Sequence, residues 1–213
     1  MVGSITHLRD LKTVKFINNS FTSFDFSILP ENIKTVNLTN NEIETLEGTD
    51  ALRRLENLKV LDLTGNSLKR FNLSWIPDNI EQMILTKNLL TKVFGCSGSN
   101  NKRLTKLSEY QFAYNALEEM NYDCVPINVV EIDVHNNRLI AKSIINDTTE
   151  HFNSLTKLKK IDLSWNVFQF YRLHLRGSHA REIDLSGNKW MQGITLITDR
   201  LTKLEHHKSS TSH

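Results

Sequence analysis

The side chains whose type and spacing could together do chemistry are led by carboxylates at regular intervals. Asp133, Asp162 and Asp184 each stand four residues before an asparagine, and Glu109, Glu131 and Glu182 each stand six before one. Tyr114 and Trp165 immediately precede such an asparagine, and His135 stands two before. Gathered on one surface, these groups would do recognition: carboxylates attract a basic protein surface and exposed aromatics anchor it. The plainer reading is that charge at these positions only keeps the surface solvated. Nothing points to a reaction. There is no phosphate-binding glycine loop and no nucleophile with a paired base. The eight histidines form no convergent metal set, with His206-His207 in a polar stretch and His174 to His179 in a connecting segment. No catalytic residue, metal or cofactor is expected.

Two cysteines add one more possibility. Cys96 lies eight residues after Asn88 and Cys124 nine after Asn115, nearly equivalent places in successive repeats. Stacked repeats bring equivalent places to about 5 Å, within disulfide reach. A Cys96–Cys124 bridge, which would indicate an oxidising compartment, and a pair of buried thiols both stay open. Glycosylation sequons at Asn18, Asn37, Asn72 and Asn146 are about as many as composition gives by chance.

The positioning elements come from a ladder of eight asparagines: Asn19, Asn41, Asn66, Asn88, Asn115, Asn137, Asn166 and Asn188. The third rung reads Leu58-x-x-Leu61-x-Leu63-x-x-Asn66-x-Leu68, and the seventh reads Leu158-x-x-Ile161-x-Leu163-x-x-Asn166-x-Phe168. From Leu8 to Leu204 this frame resembles the leucine-rich repeat superfamily. The resemblance implies an α/β solenoid, a horseshoe of about eight coils with a parallel β-sheet on its concave face. It says almost nothing about function. Within each frame the fourth and sixth residues should face the core, because strand side chains alternate. The Asn should turn inward to satisfy backbone groups at the bend.

Rung spacing predicts paired coils. Steps of 22 residues (Asn19 to Asn41, Asn66 to Asn88) alternate with steps of 25, 27 and 29. Pro30, Pro77 and Pro126 mark the short steps, which should be extended returns. The long steps should carry short helices. One is expected after Thr49-Asp50 and another from Thr148 to Leu155, each started by residues that cap helix N-termini. Residues 1–204 are expected to form the repeat domain and 205–213 a disordered polar tail. No polar cap is evident at either end, so the expectation is a fragment of a longer protein.

Composition narrows the partners. Net charge is +2, too near neutral to suggest nucleic acid. No apolar run approaches the roughly 20 residues of a membrane span. Met1 to His7 does not read as a signal peptide, which predicts an intracellular protein or a mature or partial chain. Asn88-Leu89-Leu90-Thr91-Lys92-Val93-Phe94-Gly95-Cys96, with Asp123-Cys124 one coil later, resembles secreted insect leucine-rich repeat proteins, including the mosquito complement-control group. That likeness implies secretion and protein binding in innate immunity. The expected function is therefore a non-enzymatic protein-binding module, extracellular, in immune recognition or adhesion. The rivals are a cytoplasmic adaptor and the recognition domain of a larger receptor or enzyme.

Overall fold

The computed structural model describes residues 3–96, 103–121, 124–140, 154–168, 171–174, 179–189, 194–197 and 201–205. Nine three-residue strands stack in parallel, one per coil: Thr13–Lys15, Thr35–Asn37, Val60–Asp62, Gln82–Ile84, Glu109–Gln111, Glu131–Asp133, Lys160–Asp162, Glu182–Asp184 and Lys203–Glu205. The register never slips. Val14, Val36, Leu61, Met83, Tyr110, Ile132, Ile161, Ile183 and Leu204 are partners down the stack. These middle residues point inward, so their neighbours on either side point out onto the concave face. Leu204, on the last strand, is the exception, at 46 % exposed.

The paired coils appear as a second kind of sheet on the return side. Ser23–Asp25 pairs with Thr45–Glu47, Arg70–Asn72 with Lys92–Phe94, and Tyr171–His174 with Ile194–Ile197. Each ribbon joins a short return to the long return that follows it. The expected helix forms at Thr49–Arg54 and buries Leu52. Its cap differs from expectation: Gly48, at φ 60°, precedes the helix and no side chain caps it. Thr49 and Asp50 instead lie in the first turn. The space a capping side chain would use is taken by the Asp25 carboxylate of the preceding return. The helix expected from Thr148 lies outside the described residues as far as residue 153, and so does the tail from residue 206 onward.

The short returns are tighter than plain extended chain. Phe26–Ile28 and Leu73–Trp75 are single 3-10 turns, capped by Asp25 and Asn72, which accept from Ser27 N–H at 2.8 Å and Ser74 N–H at 2.9 Å. The prolines open turns into the strand. The carbonyls of Pro30, Pro77 and Pro126 accept from the amides of Ile33, Ile80 and Val129.

Seven of the eight ladder asparagines make one repeated set of bonds, and every set reaches backwards along the chain. Asn137 donates to its own coil at Val134 O (3.0 Å) and to the coil before at Phe112 O (3.0 Å), and accepts from Leu117 N–H at 2.9 Å. Asn66 does the same with Leu63, Leu38 and Ile43. Asn41, Asn88, Asn115, Asn166 and Asn188 repeat the pattern. Asn19 departs from the inward orientation expected of all eight. It is exposed and donates only locally, to Ile17 O at 3.1 Å, because no described coil lies behind it. An outer asparagine set reaches backwards too: Asn32, Asn57, Asn79 and Asn128 donate to Arg9, Glu31, Glu56 and Thr105 carbonyls.

Candidate functional site

The outward strand positions divide the concave face in two. Over the first four strands Lys15 and Asp62 balance, and the rest are neutral. Over the last five stand Glu109, Glu131, Asp133, Asp162, Glu182, Asp184 and Glu205 against Lys160 and Lys203. In-register pairing puts Asp133 opposite Asp162 and Asp162 opposite Asp184, so like charges stand one strand spacing apart. Directly opposed like charges destabilise a sheet. The lysines relieve part of this: Lys160 Nζ lies 2.7 Å from Glu131 and Lys203 Nζ 2.6 Å from Glu205. The Glu131 hydrogen bond holds the Lys160 pKa above its ordinary value, and Glu205 does the same for Lys203. Gln111 donates to Glu109.

Asp133, His135 and Asp162 form a tighter group that the histidine reading did not anticipate. Their donor atoms lie within 4.8 Å of one another, and among the described residues they are the only such trio of metal-ligand types. His135 Nδ1 is 2.6 Å from Asp133 Oδ1 and 3.9 Å from Asp162 Oδ2. The short contact satisfies the ring as an ion pair when it is protonated. The signal in the sequence was an aspartate at the same frame position in neighbouring coils, with a histidine two residues beyond one of them.

Tyr114 and Trp165 are not on the strands. They occupy the bend where the chain leaves the sheet, at the rim of the face. In all eight frames the residue at this place is left-handed, from Asn18 (φ 55°), Asn40, Gly65, Lys87, Tyr114 and Asn136 to Trp165 (φ 52°) and Gly187 (φ 68°). The reason is in the backbone. Each of the first seven still donates to the carbonyl of the next coil, as Tyr114 N–H does to His135 O at 2.9 Å, while the chain turns away. Asparagine and glycine tolerate that conformation, whereas other residues lose about 1–2 kcal/mol in it. Lys87, Tyr114 and Trp165 therefore sit where their types are disfavoured. Sequence reading found the two aromatics but not Lys87, nor the shared bend; the run of Asn and Gly before the ladder asparagine was the available sign.

Side chains in this rim column lean on one another. Asn40 donates to Asn18 at 3.0 Å. Lys87 Nζ lies 5.8 Å from the Tyr114 ring centroid, and His135 meets Tyr114 edge-on at 4.7 Å. Trp165 covers Gly187, where an added Cβ would lie 2.6 Å from the indole. Tyr114 remains 47 % and Trp165 57 % exposed.

Away from this face, Cys96 and Cys124 form a disulfide with Cα atoms 5.2 Å apart. The pairing follows from their equivalent places in adjacent coils. Of the sequons, Asn72 is engaged as a turn cap, and Asn146 lies outside the described residues. A cavity of about 680 Å³ lies on the return side between Arg9, Glu31 and Arg54, and none of the concave-face carboxylates lines it. A shallow depression of about 220 Å³ lies on the acidic face between Lys160, Asp162 and Asp184. Among the described residues no helix is long and apolar enough to cross a membrane.

A parallel solenoid built on this frame, with its asparagine ladder, is the leucine-rich repeat fold. The Leucine Rich Repeat family model matches residues 57–83. No curated protein matches the chain. Among solved structures it is similar to a leucine-rich repeat protein of Leptospira interrogans, at 20 % identity and TM-score 0.51, over 87 % of this chain and 57 % of that one. It is also similar to a Bacteroides eggerthii leucine-rich repeat protein, at 18 % identity and TM-score 0.53, over 82 % of this chain and 32 % of that one. A third match, at 20 % identity and TM-score 0.51, is to an octameric complex of latrophilin 3, Unc5D and the leucine-rich repeats of FLRT2, over 87 % of this chain and 70 % of that one. The chain thus spans little more than half of the first of these proteins and a third of the second. Repeat proteins of this fold are in general protein-interaction modules.

Proposed function

We propose that this chain is a non-enzymatic module that binds a basic protein on the acidic half of its concave face, through Glu109, Glu131, Asp133, Asp162, Glu182 and Asp184, flanked by Tyr114, His135 and Trp165. The observation that carries this is the in-register row Asp133, Asp162, Asp184 on adjacent strands. A row of like charges costs stability in the free protein, and an opposite charge on a partner relieves that cost. An extracellular setting, in adhesion or immune recognition, is part of the proposal. The Cys96–Cys124 bridge supports it, since disulfides persist in oxidising compartments. The insect likeness rests on that same cysteine placement, and the match to the FLRT2-containing complex adds an example of the fold held within a multiprotein assembly. The short spans of the two bacterial relatives covered favour a second reading, the recognition domain of a larger receptor or enzyme.

The test is surface plasmon resonance against a panel of extracellular proteins, comparing the parent with an Asp133→Lys/Asp184→Lys variant. Charge reversal should abolish the parent's binding, and unchanged binding would sink the acidic-face reading. A thiol count on natively expressed protein tests the compartment. No free thiol is expected, and two would favour a cytoplasmic adaptor instead. Reduction should cost about 3–4 kcal/mol of stability for a bridge with sequence separation 28.

A further inference from the structure

Three rim residues stand in a backbone conformation that suits asparagine or glycine, and two are large exposed aromatics. Unfavourable local geometry kept at an exposed position marks a functional demand, because packing offers little reason for it. Trp165 is covered on one side by the Gly187 backbone. Its exposure leaves ring surface for a partner. Tyr114 already displays the chemistry such a surface would use, with the chain's own Lys87 ammonium 5.8 Å from its ring centroid. Cations are drawn to aromatic faces in this way.

Spacing suggests the form of the occupant. Tyr114 and Trp165 are separated by one rung, Asn136, so their backbones lie two strand spacings apart, roughly 9–10 Å. A polyproline II segment presents one side chain per turn to the same face, every third residue, at about 9.3 Å. Asp133 stands on the strand of the intervening coil and Asp162 on the strand of Trp165's own coil.

We propose that Tyr114 and Trp165 form a two-point rim clamp for one extended peptide segment of a basic partner, each ring taking a cationic side chain, the two cations three residues apart. Lys87 acts as an internal placeholder on Tyr114 that the incoming cation displaces. This proposal rests on the reading of the acidic face as the binding surface, and it adds where the partner lies and how it is spaced.

The experiment uses the full chain and fluorescence anisotropy at 150 mM salt. The probe is a labelled peptide with arginine at every third residue in a proline background. Two controls carry glutamate at those positions, or the same number of arginines at every second residue. The every-third arginine probe should bind at least tenfold tighter than either control. Tyr114→Asn and Trp165→Asn should each weaken it tenfold or more while leaving the thermal midpoint equal or higher, since asparagine suits the bend. Trp165→Tyr should retain most binding. Lys87→Asn should tighten it a few-fold.

Asp133→Asn/Asp162→Asn tests the acidic face separately. Loss of binding there with unchanged binding by the aromatic variants overturns the clamp and keeps the acidic-face reading. Loss by the aromatic variants alone overturns the acidic-face reading and, with it, the clamp that rests on it. A lowered thermal midpoint in both asparagine variants assigns the rings to stability and overturns the clamp. Equal binding of both arginine spacings also overturns it, and no binding of any basic probe overturns both.

Discussion

Two columns of residues run side by side through this solenoid, one position apart in every frame, and they are under opposite constraints. The inner column is all asparagine, and seven of its members are bonded into the core by the same contacts. The outer column shares one backbone conformation but not one residue type: Asn, Asn, Gly, Lys, Tyr, Asn, Trp, Gly. Where bonds dictate chemistry, the residue cannot vary. Where only φ is dictated, side chains can be recruited for other purposes at modest cost. The column that departs from its preferred residues is the one facing outward, and two of its three departures, Tyr114 and Trp165, lie beside the acidic half of the sheet.

The largest expected effect breaks the inner column. Asn137→Ala removes donations to Phe112 and Val134 and strands the Leu117 amide, which should cost about 2–3 kcal/mol in a urea denaturation. Asn19→Ala should change stability by less than about 0.5 kcal/mol, because its side chain is exposed. Equal losses at the two positions would mean the bonds are not what fixes the residue.

Next comes the outer column at its tightest point. Gly187→Ala places a methyl group against Trp165 and forces a side chain into a left-handed backbone. A loss of about 1–2 kcal/mol is expected, together with a shifted indole emission in a Trp75→Phe/Trp190→Phe background.

A pH test probes the buried side of the strands. Burial pushes the Tyr110 hydroxyl pKa well above the usual tyrosine value. The sign follows: a raised folded pKa gives stability that is complete below the unfolded value and lost as pH rises through the folded one. The parent should therefore lose about 1 kcal/mol between pH 9 and 11 that Tyr110→Phe does not lose. Thermal melts at both pH values decide it.

The smallest effect has the opposite sign. Lys87→Asn should raise stability by about 0.5 kcal/mol, by giving the bend a residue that tolerates it. A loss would mean the Tyr114 contact outweighs the backbone strain.

Much of this architecture was legible in the sequence because repetition amplifies weak signals. One Asn-x-apolar triplet means little, whereas eight in register fix strand, core and concave positions together. The alternation of 22-residue and longer steps, and the cysteine adjacency, were readable for the same reason. What stayed hidden depends on contacts between coils rather than on any one frame. The Gly48 cap is set by Asp25 of another return. The Asp133–His135–Asp162 group needs two strands, and the relief of the acidic row needs Lys160 across from Glu131. Asn19 has the same frame as its siblings and differs only in its neighbours. The rim positions of Tyr114 and Trp165 followed from φ, which spacing alone does not report.

The backward reach of the asparagines has a consequence for how such a chain is made. A polypeptide emerges N-terminus first, so each newly formed coil carries the group that fastens the one already built. Assembly is then vectorial: a rung is provisional until its successor arrives and is locked from behind thereafter. In this direction each ladder asparagine finds its acceptor carbonyl already built, whereas the rim amide of each coil waits for the next one. Bonding of this polarity suits coil-by-coil assembly in step with synthesis, with the most recently made coil the least secured.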